Sequence, residues 1–548
     1  MRKIVIVGGV AGGATTATRL RRLDETTEIV MIERGEHISF ANCGLPYHIG
    51  EVIQEREDLI LQTADKMSKQ LNIAVKNLSE AIAINEKVKT ITIKDLKTGE
   101  TYEESYDTLV LSTGAKPIIP EIKGLETAKN VFTLRNIPDM DRIKAYLSEK
   151  QIKKAAILGG GFIGVEMAEN LVALGLEVTL MEKSDQVLAP LDPEMATIVH
   201  KRLTKSGVKL ELGNPVTAIE DNGHRLMLED GTAVETDLMI LAIGVTPEND
   251  LAKTAGLTLG VKGTVVVDGR FKTSEPDIYA IGDLIQVRDY VTGESAMIPL
   301  AWPANRQGRL LADHLNGKHV NYEGTLGTAI VKVFDLTVAT TGTNEKALRA
   351  SGFPYHVVHA YPKSHAGYYP EAKRLAMKLI FDHEGVLFGA QIIGEKGVDK
   401  RIDVLSTAIK GGLTIYELQD LELAYAPPYS SAKDPVNMLG YLAANVLERE
   451  VCTYQWHEVE ALISEKVFLL DVRNPEEVQR GTLPTAVNIP LGELRERLNE
   501  LPKDRNIHVF CQVGLRGYAA TRILMGRGIM AYNLDGGYQT YLNGAGVI

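Results

Sequence analysis

An apolar strand ending in a glycine turn, an amphipathic helix, and a second strand closing on an acid occur twice in this chain, over residues 3–33 and 154–182. This repeat narrows the fold more than any other feature. A βαβ unit of this kind demands a parallel sheet, and the bare turn lets a pyrophosphate reach the N–H groups at the helix start. In the second unit Gly159-Gly160-Gly161-Phe162-Ile163-Gly164 fits G-x-G-x-x-G, follows an apolar strand and opens a helix. In the first, Gly8-Gly9-Val10-Ala11-Gly12-Gly13 is less regular, with Val10 where the middle glycine normally stands. Glu33 and Glu182 end the partner strands, where a carboxylate accepts ribose hydroxyls. At Glu182 it also repels a 2′-phosphate, which favours NADH and leaves NADPH as the second candidate. Expected cofactor contacts are therefore Gly8, Gly9, Val10, Ala11, Gly12, Gly13, Glu33 and Arg34 in one unit. Gly159, Gly161, Phe162, Ile163, Gly164 and Glu182 are their counterparts in the other.

Three further strands organise the intervening chain. Residues 106–114 read as a buried strand that ends at Thr113 and Gly114, and residues 237–244 as its match, ending at Gly244. Residues 277–283 form a third, in which Asp283 follows Gly282 and suits the ribityl or phosphate region of a flavin. The first domain thus resumes near residue 245, giving a discontinuous unit over 1–115 and 245–323 with a second dinucleotide unit, 116–244, inserted. Residues 324–445 change to strands followed by helices without a dinucleotide turn. A polar linker over 446–455 then leads to a self-contained α/β domain over 456–548.

The net charge of −11 gives no support to nucleic-acid or acidic-membrane binding. Three cysteines cannot build a disulfide framework, so the chain reads as reduced and cytoplasmic with cysteine open to chemical use. The N-terminus enters a strand directly, unlike a signal peptide, and no apolar run spans a bilayer. No metal centre is expected.

Cys43 stands in Ser39-Phe40-Ala41-Asn42-Cys43-Gly44-Leu45-Pro46-Tyr47, on a constrained turn close to the first ribose strand. No second cysteine follows within a few residues, so its oxidised form must be a mixed disulfide with a small thiol, or a sulfenic acid. As a nucleophile it needs a depressed thiol pKa. With the two dinucleotide units and residues 277–283, this segment resembles the pyridine nucleotide-disulfide oxidoreductases, within them the coenzyme A-disulfide reductase branch. The resemblance implies FAD and NAD(P)H as cofactors, two Rossmann-like domains and an α+β dimerisation domain, hence a homodimer. It also implies coenzyme A contacts at Arg19, Arg22, Ser39 and Asn42, with weaker carry-overs at Asn305 and Lys433. Two catalytic tyrosines from a partner subunit are matched by Tyr425 and Tyr368, the latter next to Tyr369.

Near the C-terminus, Ile507-His508-Val509-Phe510-Cys511-Gln512-Val513-Gly514-Leu515-Arg516 runs a strand into a short loop and then a helix. Loop amides and the positive helix end should favour a thiolate or persulfide at Cys511, with Arg516 at the substrate. Residues 471–473, 488–490 and 536–538 complete a resemblance to a single α/β rhodanese domain. Cys452 reads as structural or incidental. The implied activity is NAD(P)H-dependent reduction of coenzyme A disulfide, persulfides or polysulfides at Cys43, with Cys511 handling sulfane sulfur. Two alternatives stay open: an NADH oxidase or peroxidase using a Cys43 sulfenic acid, and a chain that is chiefly a sulfurtransferase or sulfur-carrying sensor.

Overall fold

The computed structural model describes residues 2–546. The chain forms two compact units, Met1–Asp185 with Gly207–Gly327, and Gln186–Ser206 with Thr328–Ile548.

The first unit carries both repeats, each as a five-stranded parallel sheet. One runs in the order Ile278–Ala280, Thr108–Leu111, Lys3–Val7, Glu28–Ile32, Ala74–Lys76. The other runs Val208–Leu212, Glu177–Glu182, Lys154–Leu158, Leu238–Leu241, Val131–Thr133. Parallel strands covered on both faces need continuous apolar runs, and Ile4, Val5, Ile6 and Ala156, Ile157 are all buried at the two centres. Between the sheets the chain crosses in an antiparallel ribbon, Ala115–Pro117 against Val245–Pro247. Each sheet also carries a small antiparallel meander in its connection, Ser79–Asn85 to Thr101–Ser105 and Val216–Glu220 to Ala233–Glu235.

The second unit holds two more five-stranded sheets. The antiparallel one is ordered Ala329–Val333, Leu336–Gly342, Leu387–Gly394, Leu375–Phe381, His356–Ala360. The last is parallel: Cys452–Tyr454, Ala531–Leu534, Ile507–Phe510, Phe468–Asp471, Val487–Asn488. Two details depart from the sequence reading of 446–455 as a linker. The helix Pro435–Leu447 runs into that segment, and Cys452–Tyr454 is an edge strand of the last sheet. Its short length hid it, because three residues are too few to show a period-2 pattern.

Within this unit lies a buried charge network that the sequence did not announce. Lys378, fully buried in the strand Leu375–Phe381, reaches Asp192 Oδ2 (2.9 Å), Glu194 Oε1 (2.6 Å) and Glu345 Oε2 (2.7 Å). The three carboxylates lie close enough together to hold a cation, and the lysine ammonium is that cation. His359 extends the network, its Nε2 meeting Glu194 Oε1 at 3.1 Å and its Nδ1 meeting Asp535 Oδ2 at 2.6 Å. Burial alone would lower the His359 pKa, but Asp535 and Glu194 override it and raise the imidazole to about 9. A folded-state pKa raised above 6.5 adds stability that is complete below pH 6.5 and lost as pH climbs through 9. Thermal unfolding between pH 6 and 10 should therefore show a loss on the order of 3 kcal/mol, which His359→Gln abolishes. An unchanged slope in that variant would assign the pH effect elsewhere.

Candidate active sites

The two glycine turns are built alike. Gly8 and Gly159 have φ of +100° and +111°, and a Cβ on either would lie 2.2–2.3 Å from a carbonyl oxygen of the neighbouring strand's exit, Ser112 or Ala242. Only glycine serves there. The position of Val10 is different. Its counterpart Gly161 has a negative φ of −74°, and nothing lies within 4 Å of the place of its Cβ. Valine is therefore accommodated where the fingerprint shows glycine, with φ −97° at the cap of the helix Ala11–Leu23.

The acids also match. Glu33 accepts from the N–H groups of Gly9 (2.8 Å) and Gly35 (2.7 Å). Glu182 accepts from Gly160 N (2.7 Å), Ser184 N (2.9 Å) and Ser184 Oγ (2.8 Å). Each carboxylate thus fixes its glycine turn and holds its own orientation, with lone pairs left for a ribose. Open space at the Gly161 cap and the helix-start amides fit a pyrophosphate. Arg34 pairs loosely with Glu80 and Glu248, both at 3.4 Å, and Thr113 donates to the Glu248 carbonyl (2.7 Å). Gly114 and Gly244 both have positive φ, 71° and 121°. Asp283 follows Gly282, whose N–H donates to Gln307 (2.7 Å), and burial raises its carboxyl to about 6 against the pull of Arg135.

Cys43 is exposed on a single turn, Asn42–Gly44, that leads into the short helix Leu45–Ile49. This helix packs on the helix Phe162–Ala173 of the second glycine turn. Tyr47 donates to Glu166 Oε1 (3.2 Å), and Gly50 approaches Asn170 so closely that a Cβ would lie 2.0 Å from its Oδ1. The cysteine is therefore pinned to both nucleotide folds. Glu166 was not singled out from the sequence; the signal was a carboxylate inside the apolar run Val165-Glu166-Met167-Ala168. Burial raises Glu166 to about 7, with Glu169 adding and the Tyr47 hydrogen bond opposing.

The depressed thiol pKa expected at Cys43 needs correction. Desolvation by the surrounding chain, which the exposed face of the residue only partly relieves, and then the Glu166 charge push it up; a backbone hydrogen bond opposes them, and the Asp283 charge adds a smaller push. The residues of this unit thus favour the neutral thiol. Glu166→Gln should lower that pKa and speed iodoacetamide alkylation of Cys43 at pH 7.5 by about 3- to 10-fold. An unchanged rate would mean the carboxyl is already neutral at that pH.

The expected substrate residues scatter. Arg19 is held by Asp313 through Nε (3.0 Å) and Nη2 (2.8 Å), and Arg22 is exposed. Arg21, on the same helix, is buried and spends its guanidinium on the carbonyls of Leu71, Asp24 and Asn72, so it is no phosphate ligand. Asn42 is exposed; Ser39, at φ +46°, stands in the left-handed region. Asn305 accepts from Thr15 Oγ1 (2.6 Å) on the first helix. In the second unit, Tyr368 OH meets Tyr425 OH at 2.9 Å, both exposed, whereas Tyr369 packs on His365. Between the two neighbours, Tyr368 is the one that meets Tyr425. Lys433 is exposed.

Cys511 is buried at the end of the strand Ile507–Phe510. The loop after it is clasped from behind by the helix Gly537–Gly544, with Tyr538 N donating to Cys511 O (2.8 Å) and Gln539 N to Gln512 O (2.9 Å). Gly537 permits the approach; a Cβ there would lie 2.5 Å from Cys511 O. Buried Arg473 chelates Asp471 (Nε 3.0 Å, Nη2 2.7 Å), donates to Gln512 Oε1 (3.1 Å) and stacks 4.4 Å from the Tyr538 ring centre. Arg516 does not stand free for a substrate: its two Nη atoms grip Glu477, a residue the sequence reading passed over.

Comparison with known families decides the larger question. The model described as pyridine nucleotide-disulphide oxidoreductase matches residues 2–308. The chain belongs to that family. Its dimerisation domain matches residues 328–435, and a rhodanese-like domain matches 455–543. The coenzyme A disulfide reductase of Staphylococcus haemolyticus (strain JCSC1435) is 40% identical over 448 residues, 81% of this chain and 100% of that protein. Among solved structures, reduced Bacillus anthracis CoADR-RHD is 57% identical over 99% of this chain and 98% of its own, with a TM-score of 0.98. An NAD-dependent persulfide reductase from A. fulgidus is 37% identical over 98% of this chain and 100% of its own, with a TM-score of 0.92. The α/β class, the nucleotide-binding oxidoreductase fold and the C-terminal rhodanese domain read from the sequence are thereby borne out. Among the described residues no helix is long and apolar enough to cross a membrane.

Proposed function

We propose that this flavoprotein uses NADH to reduce coenzyme A disulfide and coenzyme A persulfide or related small persulfides at Cys43, while Cys511 accepts sulfane sulfur. The observation that carries it is the seat of Cys43. It is a lone exposed thiol on a turn packed against the helix of the second glycine turn, within the electrostatic reach of Asp283 and Glu166. The names of the staphylococcal relative and of the two solved neighbours support the substrate class.

FAD, when bound, supplies two-electron transfer between a nicotinamide and a sulfur centre. Gly8 to Gly13, Glu33, Arg34, Thr113, Gly114, Gly282 and Asp283 would hold it. Gly159, Gly161, Phe162, Ile163, Gly164, Glu182 and Gly244 would hold NADH. The chain's own residues do the sulfur work. Cys43 loses its proton, attacks one sulfur of the S–S bond and keeps half of the substrate as a mixed disulfide, while the other half leaves as a thiolate. With a persulfide that leaving half is sulfide. Glu166, whose charge acts on Cys43 and whose carboxyl is raised to about 7 by burial, would take and return the thiol proton. Arg22 offers an open guanidinium to the coenzyme A phosphates, and Arg19 does so by exchanging its Asp313 partner. Ser39, Asn42, Asn305 and Lys433 complete the proposed substrate contacts. Tyr368 and Tyr425, already hydrogen-bonded to each other, would protonate or steady the leaving sulfur from the second subunit of a homodimer.

The proposed domain division is 1–115 with 245–323 for FAD, 116–244 for NADH, 324–445 for dimerisation, and a rhodanese domain after it. The antiparallel ribbon at Ala115–Pro117 and Val245–Pro247 supports the first two borders. The deciding test is anaerobic NADH oxidation with coenzyme A persulfide against coenzyme A disulfide. Rapid sulfide release with the persulfide supports the reading. Turnover of neither acceptor, with oxygen or peroxide reduced instead, overturns it.

A further inference from the structure

The Cys511 loop meets two guanidinium groups, and each is matched by a carboxylate. Arg473 is locked on Asp471 inside the domain. Arg516 stands in the first turn of the helix Leu515–Met525 that follows the loop. It gives Nη1 to Glu477 Oε2 (2.7 Å) and Nη2 to Glu477 Oε1 (2.6 Å), a parallel fork that uses both carboxylate oxygens. Glu477 is itself held in place, accepting from Asn474 N (3.1 Å) in the capping box of the short helix Pro475–Val478. The pair is partly open to solvent, with 32% and 29% of the two side chains exposed, so a donor approaching over Arg516 also meets Glu477. The Arg516 hydrogen bonds drive the Glu477 carboxyl down to about 2, so it stays ionised at any working pH. Arg516 also senses the charge at Cys511.

A doubly charged sulfur donor such as thiosulfate needs a cation free to hold its sulfonate end. Here it must either displace Glu477 or sit beside it. A donor with a single charge at its reacting end loses less. We propose that Glu477 is a specificity-determining residue of the Cys511 centre. By compensating Arg516 it selects against dianionic sulfur donors and in favour of donors whose reacting end carries one charge or none. The inference rests on the reading of Cys511 as the sulfur acceptor and deepens it. Specificity here comes from an introduced repulsion rather than a new attraction.

The chemistry that reports it is simple. The Cys511 thiolate attacks the outer sulfur of thiosulfate, the S–S bond breaks, and sulfite leaves with the bonding pair. The Cys511 persulfide then gives that sulfur to cyanide as thiocyanate, and the thiolate is restored. Methanethiosulfonate, a monoanion, reacts in the same way and releases methanesulfinate. Neither half-reaction needs NADH or Cys43.

The experiment measures kcat/KM for both donors with cyanide, on the flavin-loaded full chain. Glu477→Gln keeps an oxygen acceptor for Arg516 and for Asn474 N but loses the charge. It should raise kcat/KM for thiosulfate by about tenfold, mostly through KM, and for methanethiosulfonate by about threefold or less. Both donors are read on one sample, so partial loss of folded protein cancels in their ratio. The double variant Glu477→Gln with Arg516→Gln restores zero net charge, and its donor ratio should return to or fall below that of the parent. A ratio unchanged by Glu477→Gln overturns the proposal, and so does a double variant that keeps the single variant's preference. Cys511→Ser separates the two layers. Sulfur transfer that survives Cys511→Ser removes the reading of Cys511, whereas loss of transfer with an unmoved ratio removes only the role of Glu477.

Discussion

Cys43→Ser abolishes NADH-driven sulfide release from coenzyme A persulfide and thiol release from coenzyme A disulfide, each falling by roughly 10³-fold or more. Serine matches the size of cysteine, so the turn Asn42–Gly44 and the packing of Leu45–Ile49 on the second glycine-turn helix should survive. A hydroxyl cannot form the mixed disulfide, and that alone removes the route. Reduction of bound FAD by NADH, followed as anaerobic bleaching of its visible absorbance, should stay near the parent rate, because no nicotinamide contact is proposed for Cys43. Sulfur transfer at Cys511 should likewise persist. Retention of more than roughly a tenth of the disulfide or persulfide activity would show that another group accepts the sulfur.

Lys378→Met is the substitution with the largest expected effect on stability. It leaves Asp192, Glu194 and Glu345 facing one another with their ammonium gone, at sites 0–12% exposed. Removing one partner of a buried ion network costs about 3–5 kcal/mol, because the remaining charges are uncompensated. The second oxygen of Glu194 already lacks a hydrogen bond, so little slack exists to absorb the loss. Trp456 reports on this unit, being packed where a Cβ on Gly544 would lie 2.2 Å from its ring. The other tryptophan, Trp302, is 75% exposed and belongs to the first unit, so Trp302→Phe isolates the signal. Urea unfolding in that background should show the Lys378→Met midpoint well below the parent. Adding Glu194→Gln should recover part of the loss. A shift under about 1 kcal/mol would mean that water reaches the carboxylates.

The nucleotide folds were legible because glycine spacing and apolar strands are local signals, carried by residues adjacent in sequence. Cys43 and Cys511 were legible for the same reason, each set in a short constrained motif. What the sequence hid was pairing at a distance. Glu166 looks like any helix carboxylate until Tyr47 is seen to donate to it from 119 residues away. Glu477, passed over in the sequence, gains its significance only when Arg516 closes on it across 39 residues. The thiol pKa expectation met the same difficulty, since the desolvation that chiefly pushes Cys43 upward and the charges that add to it come from other segments. Val10 is the opposite case. A departure from the fingerprint became harmless once the backbone at that position had a negative φ.

The helix Pro193–Lys205 falls by sequence inside the proposed nucleotide unit 116–244, yet its contacts assign it to the later unit. It brings the carboxylates of Asp192 and Glu194 to Lys378 and His359. A gene fragment that starts at residue 328 would therefore encode a buried ammonium stripped of two of its three counter-ions. Expressed alone, the tail of this chain should fold stably only with a graft of about twenty residues from upstream. Order along the chain and membership of a folded unit therefore part company here: the later unit is closed by a segment that belongs, by position, well before it.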